Sequence, residues 1–173
     1  MRHSNKNEPL IPNFDEWDAL IAAPFGKLGI QTKIVDGSLM LSQIYYAPPQ
    51  LRVIQPKNDL ARLAVEQCEQ YFLDPLFEFD LPLMPAGTYF QNKVWERINQ
   101  IPGGEMWTYG EIAKQIKSAP RAVGQACGSN PFPLIVPCHR VVSATGLGGF
   151  AHQAGEGYHR QIKSWLLRHE GAI

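Results

Sequence analysis

The stretch Asn130-Pro131-Phe132-Pro133-Leu134-Ile135-Val136-Pro137-Cys138-His139-Arg140-Val141-Val142 runs three prolines and an apolar segment straight into a Cys-His pair. Proline fixes its own φ and restricts the residue before it, so the segment reads as a stiff, extended track. A thiol at the end of such a track, beside an imidazole, is placed as a nucleophile. It is reactive as thiolate, and a positioned base supplies that form. The competing reading, an inert packing cysteine, suits a helix face better than this rigid frame.

Upstream of the track, Thr108-Tyr109-Gly110-Glu111 has capping-box spacing, with Thr108 as N-cap and Ile112, Ala113 and Ile116 on the apolar side. Ser118-Ala119 breaks that helix. Pro120 fits the first turn of another, running to about Ser129. Two short helices about a tight turn suggest a helix-turn-helix. The second helix has small side chains and one cation, Arg121, which suits close approach to a sugar-phosphate surface better than reading base edges. Tight helix–helix packing explains the same small residues equally well. A helix near Tyr89–Asn99 precedes this pair and is ended by Ile101-Pro102-Gly103-Gly104. Downstream, Gly146-Leu147-Gly148-Gly149-Phe150 is a turn, and a last helix spans about Tyr158 to His169, closed by Glu170.

The first half has a different texture. Trp17–Ala23, Lys27–Val35 and Leu39–Tyr46 read as strands, with Asp36-Gly37 as a hairpin signal and Pro24-Phe25-Gly26 as punctuation. A helix is expected from Asn58 to about Phe72, with Cys68 a small core residue on its apolar face. Asp74–Ala86, with Pro75, Pro82 and Pro85 among Phe and Leu, is the linker candidate, apolar enough to pack down. The expectation is an α+β chain with a structural domain over 1–86, linker included, and a mostly helical domain over 87–173.

Composition narrows the function. Sixteen Lys and Arg against sixteen Asp and Glu give a net charge of zero, so any DNA contact must come from a local patch. Three cysteines without C-x-x-C spacing indicate a reducing cytoplasm rather than a disulfide framework or zinc ribbon. No stretch approaches a membrane span and the polar N-terminus lacks a signal-peptide core. His3 has no cysteine near it, and neither a metal nor a cofactor is expected.

From about Phe90 to Glu170 the chain resembles the O6-alkylguanine-DNA alkyltransferase, or methylated-DNA–protein-cysteine methyltransferase, family. The likeness is carried by Thr108-Tyr109-Gly110-Glu111, Arg121-Ala122-Val123-Gly124, Asn130-Pro131, Pro137-Cys138-His139-Arg140-Val141 and Trp165-Leu166-Leu167-Arg168-His169-Glu170, in the family's order. The resemblance implies a ribonuclease H-like first half and a DNA-binding second half. It implies a monomer that takes the alkyl group of O6-alkylguanine in double-stranded DNA onto its own Cys138, once per molecule, with O4-alkylthymine as a further candidate substrate.

In that reading His139 would deprotonate Cys138 through a bridging water, and Glu170 would orient His139. Asn130 would pin the turn and Tyr109 would donate a proton to the departing guanine. Arg121 would fill the gap left by an extruded nucleotide, with Thr108, Ala122, Gly124 and Ser129 also facing DNA. Val141, Phe150, Ala151, Cys127 and Lys163 would line the pocket, and the carbonyls of Cys138 and Val141 would accept from the guanine amine. An alkyl carbon inside a stacked duplex is closed to in-line attack, so the nucleotide must be flipped.

This chain departs from the pattern in places. The Tyr109–Arg121 interval is about two residues short, Gly128 replaces a second Arg, Ala151 stands where some members have Ser, and 152–161 is an insertion. A damage-marking protein would lack Cys138, a transcriptional switch would carry a further domain, and a cysteine hydrolase would need an oxyanion hole that no motif supplies.

Overall fold

A three-stranded antiparallel sheet opens the fold: β1 (Ala19–Ala23), β2 (Gly26–Val35) and β3 (Ser38–Ala47), in the order β1-β2-β3. The structure, a computed structural model, describes residues 13–148 and 156–173. Asp36 and Gly37 both have positive φ, 49° and 79°, the geometry a two-residue hairpin needs to match strand twist. Helix α1 (Asp59–Leu73) packs on the sheet, its first turn capped by the Asn58 side chain accepting from the Ala61 amide at 2.8 Å. Cys68 is fully buried on its inner face, as its spacing indicated.

The proline-rich interval after α1 packs down. Leu41 donates to Pro82 and Met84 donates to Leu41, so this segment runs beside β3, while Phe77, Phe79, Leu81 and Leu83 lie against the core. Then come α2 (Tyr89–Ile98), β4 (Trp107–Thr108), α3 (Tyr109–Gln115), α4 (Pro120–Gly128), β5 (Val141–Val142) and α5 (Glu156–His169). Thr88 caps α2 and Thr108 caps α3, each in a full capping box. The Trp95 indole donates to the Ala126 carbonyl at 2.9 Å and ties α2 to α4.

The parallel pairing of β4 with β5 was not anticipated: two residues on each side carry too little pattern to read. It sets Trp107 beside Val141 and Thr108 beside Val142, just ahead of Tyr109. A single buried cluster runs from Ala19 and Leu28 in the sheet through Tyr71 and Val94 to Cys138 and Leu166. No helix among the described residues is long and apolar enough to cross a membrane.

Candidate functional site

The track from Asn130 to Pro137 is a compact turn, not the extended segment expected. Val136 donates to the Phe132 carbonyl at 2.8 Å, and Leu134 sits at φ 78°. A left-handed leucine is costly and persists only where its surroundings impose it. Here Leu134 is buried, and Pro131 accepts from the Ile44 amide of β3 at 2.9 Å. Local proline rules favour extension, but these tertiary bonds override them.

Asn130 holds the turn and the sulfur together. Its Oδ1 accepts from Phe132 N at 2.9 Å, and its Nδ2 donates to Val136 O at 2.9 Å and to Cys138 Sγ at 3.2 Å. Cys138 begins a 3-10 turn, Cys138–Arg140, and is 4% exposed. It lines a cavity of about 220 Å³ bounded by Gln43 to Tyr46 of β3, Cys127 to Pro131, and Pro133. The Cys127 thiol, hydrogen-bonded to it, and burial hold the Cys138 thiol well above its ordinary range, while Asn130 and Lys163 pull it down. The resting sulfur is therefore a protonated thiol.

His139 Nε2 lies 3.0 Å from Glu170 Oε1, and both side chains are enclosed. Burial lowers His139 despite the carboxylate beside it, so the ring is neutral. A carboxylate only accepts, hence Nε2 carries the hydrogen and Nδ1 the lone pair. Nδ1 is buried with no hydrogen-bond partner among the described residues.

Glu170 is held from three directions. Arg140 clasps it with Nε to Oε1 at 2.9 Å and Nη2 to Oε2 at 2.7 Å, and anchors itself by Nη1 to the Ile101 carbonyl at 2.8 Å. Tyr71 of α1 donates to Oε2 at 3.0 Å. Burial alone would raise this carboxyl, but the Arg140 and His139 hydrogen bonds and charges bring it down to about 2. Neither Arg140 nor Tyr71 was given a role from sequence. Arg140 stood inside a motif without a visible partner, and Tyr71 was one more apolar position on a helix face.

Lys163 is fully buried and donates to the Val141 carbonyl at 2.6 Å, and its ammonium lies 5.8 Å from the Tyr109 ring centroid. Burial lowers it to about 8, against the pull of Cys127 and Cys138. The two carbonyls expected to face a guanine amine thus already have donors, Lys163 on Val141 and the Val141 amide on Cys138. Each keeps a second lone pair. Burial and the nearby Cys127 and Cys138 raise the Tyr109 phenol, which keeps its proton. Gly148, at φ 77°, lies so close to the Tyr109 ring that a Cβ would come within 2.9 Å of it.

Arg121 and Ser129 are exposed, Thr108, Ala122 and Gly124 half-buried, all on or beside α3 and α4. Phe150 and Ala151 lie outside the described residues, as do residues 152–155 of the 152–161 insertion. Among the described residues no group of three or more His, Cys, Asp or Glu is placed to hold a metal.

Residues 89–172 match the family model for the 6-O-methylguanine DNA methyltransferase DNA binding domain. A methylated-DNA–protein-cysteine methyltransferase of Methanosarcina acetivorans is 48% identical over 118 residues, 66% of this chain and 72% of that protein. One from Shigella flexneri is 35% identical over 170 residues, covering 88% and 94%. Among solved structures, Mycobacterium tuberculosis OGT in complex with DNA superposes with TM-score 0.66 at 37% identity, covering 88% of this chain and 91% of that one.

Proposed function

Because the chain belongs to the methylated-DNA–protein-cysteine methyltransferase family, we propose that it repairs double-stranded DNA by moving the alkyl group of O6-alkylguanine onto its own Cys138. The observation that carries this reading is the polar chain behind the sulfur: Asn130 on Sγ, and a neutral His139 whose Nε2 is committed to an ionised Glu170. Such a histidine has one basic site left, Nδ1, which is buried and has no hydrogen-bond partner among the described residues.

In the step itself, Sγ attacks the alkyl carbon as the bond from that carbon to guanine O6 breaks. The thiol proton passes through a bridging water to His139 Nδ1, and the imidazolium that results faces Glu170. Guanine leaves with its negative charge met by a proton from Tyr109, whose phenol holds that proton until the base needs it. The raised thiol means deprotonation belongs to the reaction, not the resting state. Asn130 and Lys163 favour the thiolate as it forms. The product is a thioether that no base here can hydrolyse, so each molecule acts once.

We read α3 and α4 as a helix-turn-helix in which Arg121 enters the base stack while the small residues Ala122 and Gly124 admit the sugar-phosphate backbone. Thr108 and Ser129 add hydroxyls at either end. Residues 1–86, ribonuclease H-like in layout, act as the structural half; 87–173 bind DNA and accept the alkyl group. The protein works as a monomer in the cytoplasm, whose reducing state suits its free cysteines. O4-alkylthymine is a second substrate of the same chemistry.

The test follows labelled alkyl groups from duplex DNA carrying O6-methylguanine. The expected result is transfer that stops at one equivalent per protein and is absent from Cys138→Ser. Continued turnover would support a hydrolase, and tight lesion binding with no transfer a damage marker.

A further inference from the structure

Cys127 and Cys138 meet in the same cavity wall, one at the end of α4 and the other at the start of the 3-10 turn. Both residues line that one wall, and each thiol is the other's hydrogen-bonding and electrostatic neighbour there. Lys163 and Tyr109 both face this pair. Cys138 is the acceptor in the function proposed above, and that step gives Cys127 no chemical task.

We propose that Cys127 and Cys138 form a reversible oxidation site, in which a hydroperoxide closes a disulfide between them and withdraws the acceptor sulfur. The inference rests on Cys138 being the alkyl acceptor. In the first step the Cys138 thiolate attacks the distal peroxide oxygen. An S–O bond forms, the O–O bond breaks, and the alkoxide or hydroxide released takes a proton. Cys127 then attacks the sulfenic sulfur; the S–S bond forms and hydroxide leaves as water with the Cys127 proton. In sum, two thiols and one hydroperoxide give a disulfide, an alcohol or water, and water. A reducing dithiol reverses it by exchange.

Access and selectivity both favour this pair. Hydrogen peroxide, roughly the size of two waters (~60 Å³), fits the cavity of about 220 Å³. Cys127 is half-buried on that wall, whereas Cys68 is fully buried on α1 and does not line the cavity. Reactivity follows thiolate content. The raised Cys138 thiol slows the first step, so the site responds to sustained rather than brief exposure. With a resolving thiol on the same wall, the sulfenic acid is captured before it reaches the irreversible sulfinic acid.

The experiment treats the full chain with graded hydrogen peroxide, blocks free thiols, and reads intact mass, the tryptic peptide 122–140 and alkyl transfer in parallel. The expected result is that peptide lighter by two hydrogens, Cys68 still free, and transfer lost in proportion and restored by dithiothreitol. In Cys127→Ser the same exposure should add oxygens to Cys138, and dithiothreitol should no longer restore that variant's own untreated rate. Oxidised Cys138 with Cys127 still a free thiol in the unaltered protein, or equal recovery in the two proteins, would overturn the proposal. If untreated protein transfers no label, the repair reading fails, while the peptide mass still decides the fate of the pair.

Discussion

At the residue scale, Glu170 shows how a site can be stable and committed at once. Three donors, on Arg140, His139 and Tyr71, meet one enclosed carboxylate. The carboxyl sits near 2, below the ~4.3 of an unperturbed glutamate. A lowered folded-state value means the unfolded chain binds the proton first on acidification. The stability it supplies is complete above about pH 4.3 and is lost as pH falls towards 2. Acid unfolding followed by tryptophan fluorescence should show this loss in that window. In Glu170→Gln the window should flatten and alkyl transfer should slow, since the amide no longer fixes the His139 tautomer or balances its charge. An unchanged acid limb would mean that the carboxylate is not the titrating anchor.

At the scale of elements, α4 carries the sharpest conflict between stability and use. Gly124 lies inside a helix, where glycine costs about 1 kcal/mol relative to alanine. Its missing Cβ would meet only the Tyr109 ring, at 3.9 Å, an ordinary contact. Packing therefore does not demand glycine here, and in the proposed DNA-binding role the missing side chain admits the duplex. Gly124→Ala should raise stability by up to about 1 kcal/mol in denaturant unfolding, yet weaken duplex binding measured by fluorescence anisotropy. A gain in stability with unchanged binding would remove Gly124 from the DNA face. The periodicities of α1 to α4 were plain in the sequence, because caps and apolar faces are local signals. The track between α4 and β5 was misjudged as extended, because the bonds to β3 and Asn130 that fold it into a turn are not local.

Across the whole molecule, the two halves are joined where the sequence leaves no mark. Tyr158, at the start of α5, donates to the Ala47 carbonyl of β3 at 2.7 Å and lies over Gly26, at φ 142°. A Cβ on Gly26 would come 2.3 Å from the Tyr158 hydroxyl oxygen. Gly26→Ala should therefore destabilise the protein by about 1–3 kcal/mol, and adding Tyr158→Phe should recover part of it. Thermal unfolding of both single variants and the double variant checks this; strictly additive losses would show that the two positions do not touch. Tyr71 makes a similar link, reaching Glu170 from 99 residues away.

What the amino-acid order determined by itself was the strands, the helices and their caps, and, through the Pro-Cys-His-Arg-Val motif, which residues are proposed as the acceptor and its base. These depend on neighbours a few residues apart. Only the tertiary structure decided that Arg140 and Tyr71 clamp Glu170, that Lys163 is spent on the Val141 carbonyl, and that Cys127 shares a cavity wall with Cys138. Each is a contact between groups whose spacing along the chain has no period, made because burying one continuous core leaves a polar group no water to turn to and obliges it to find a partner.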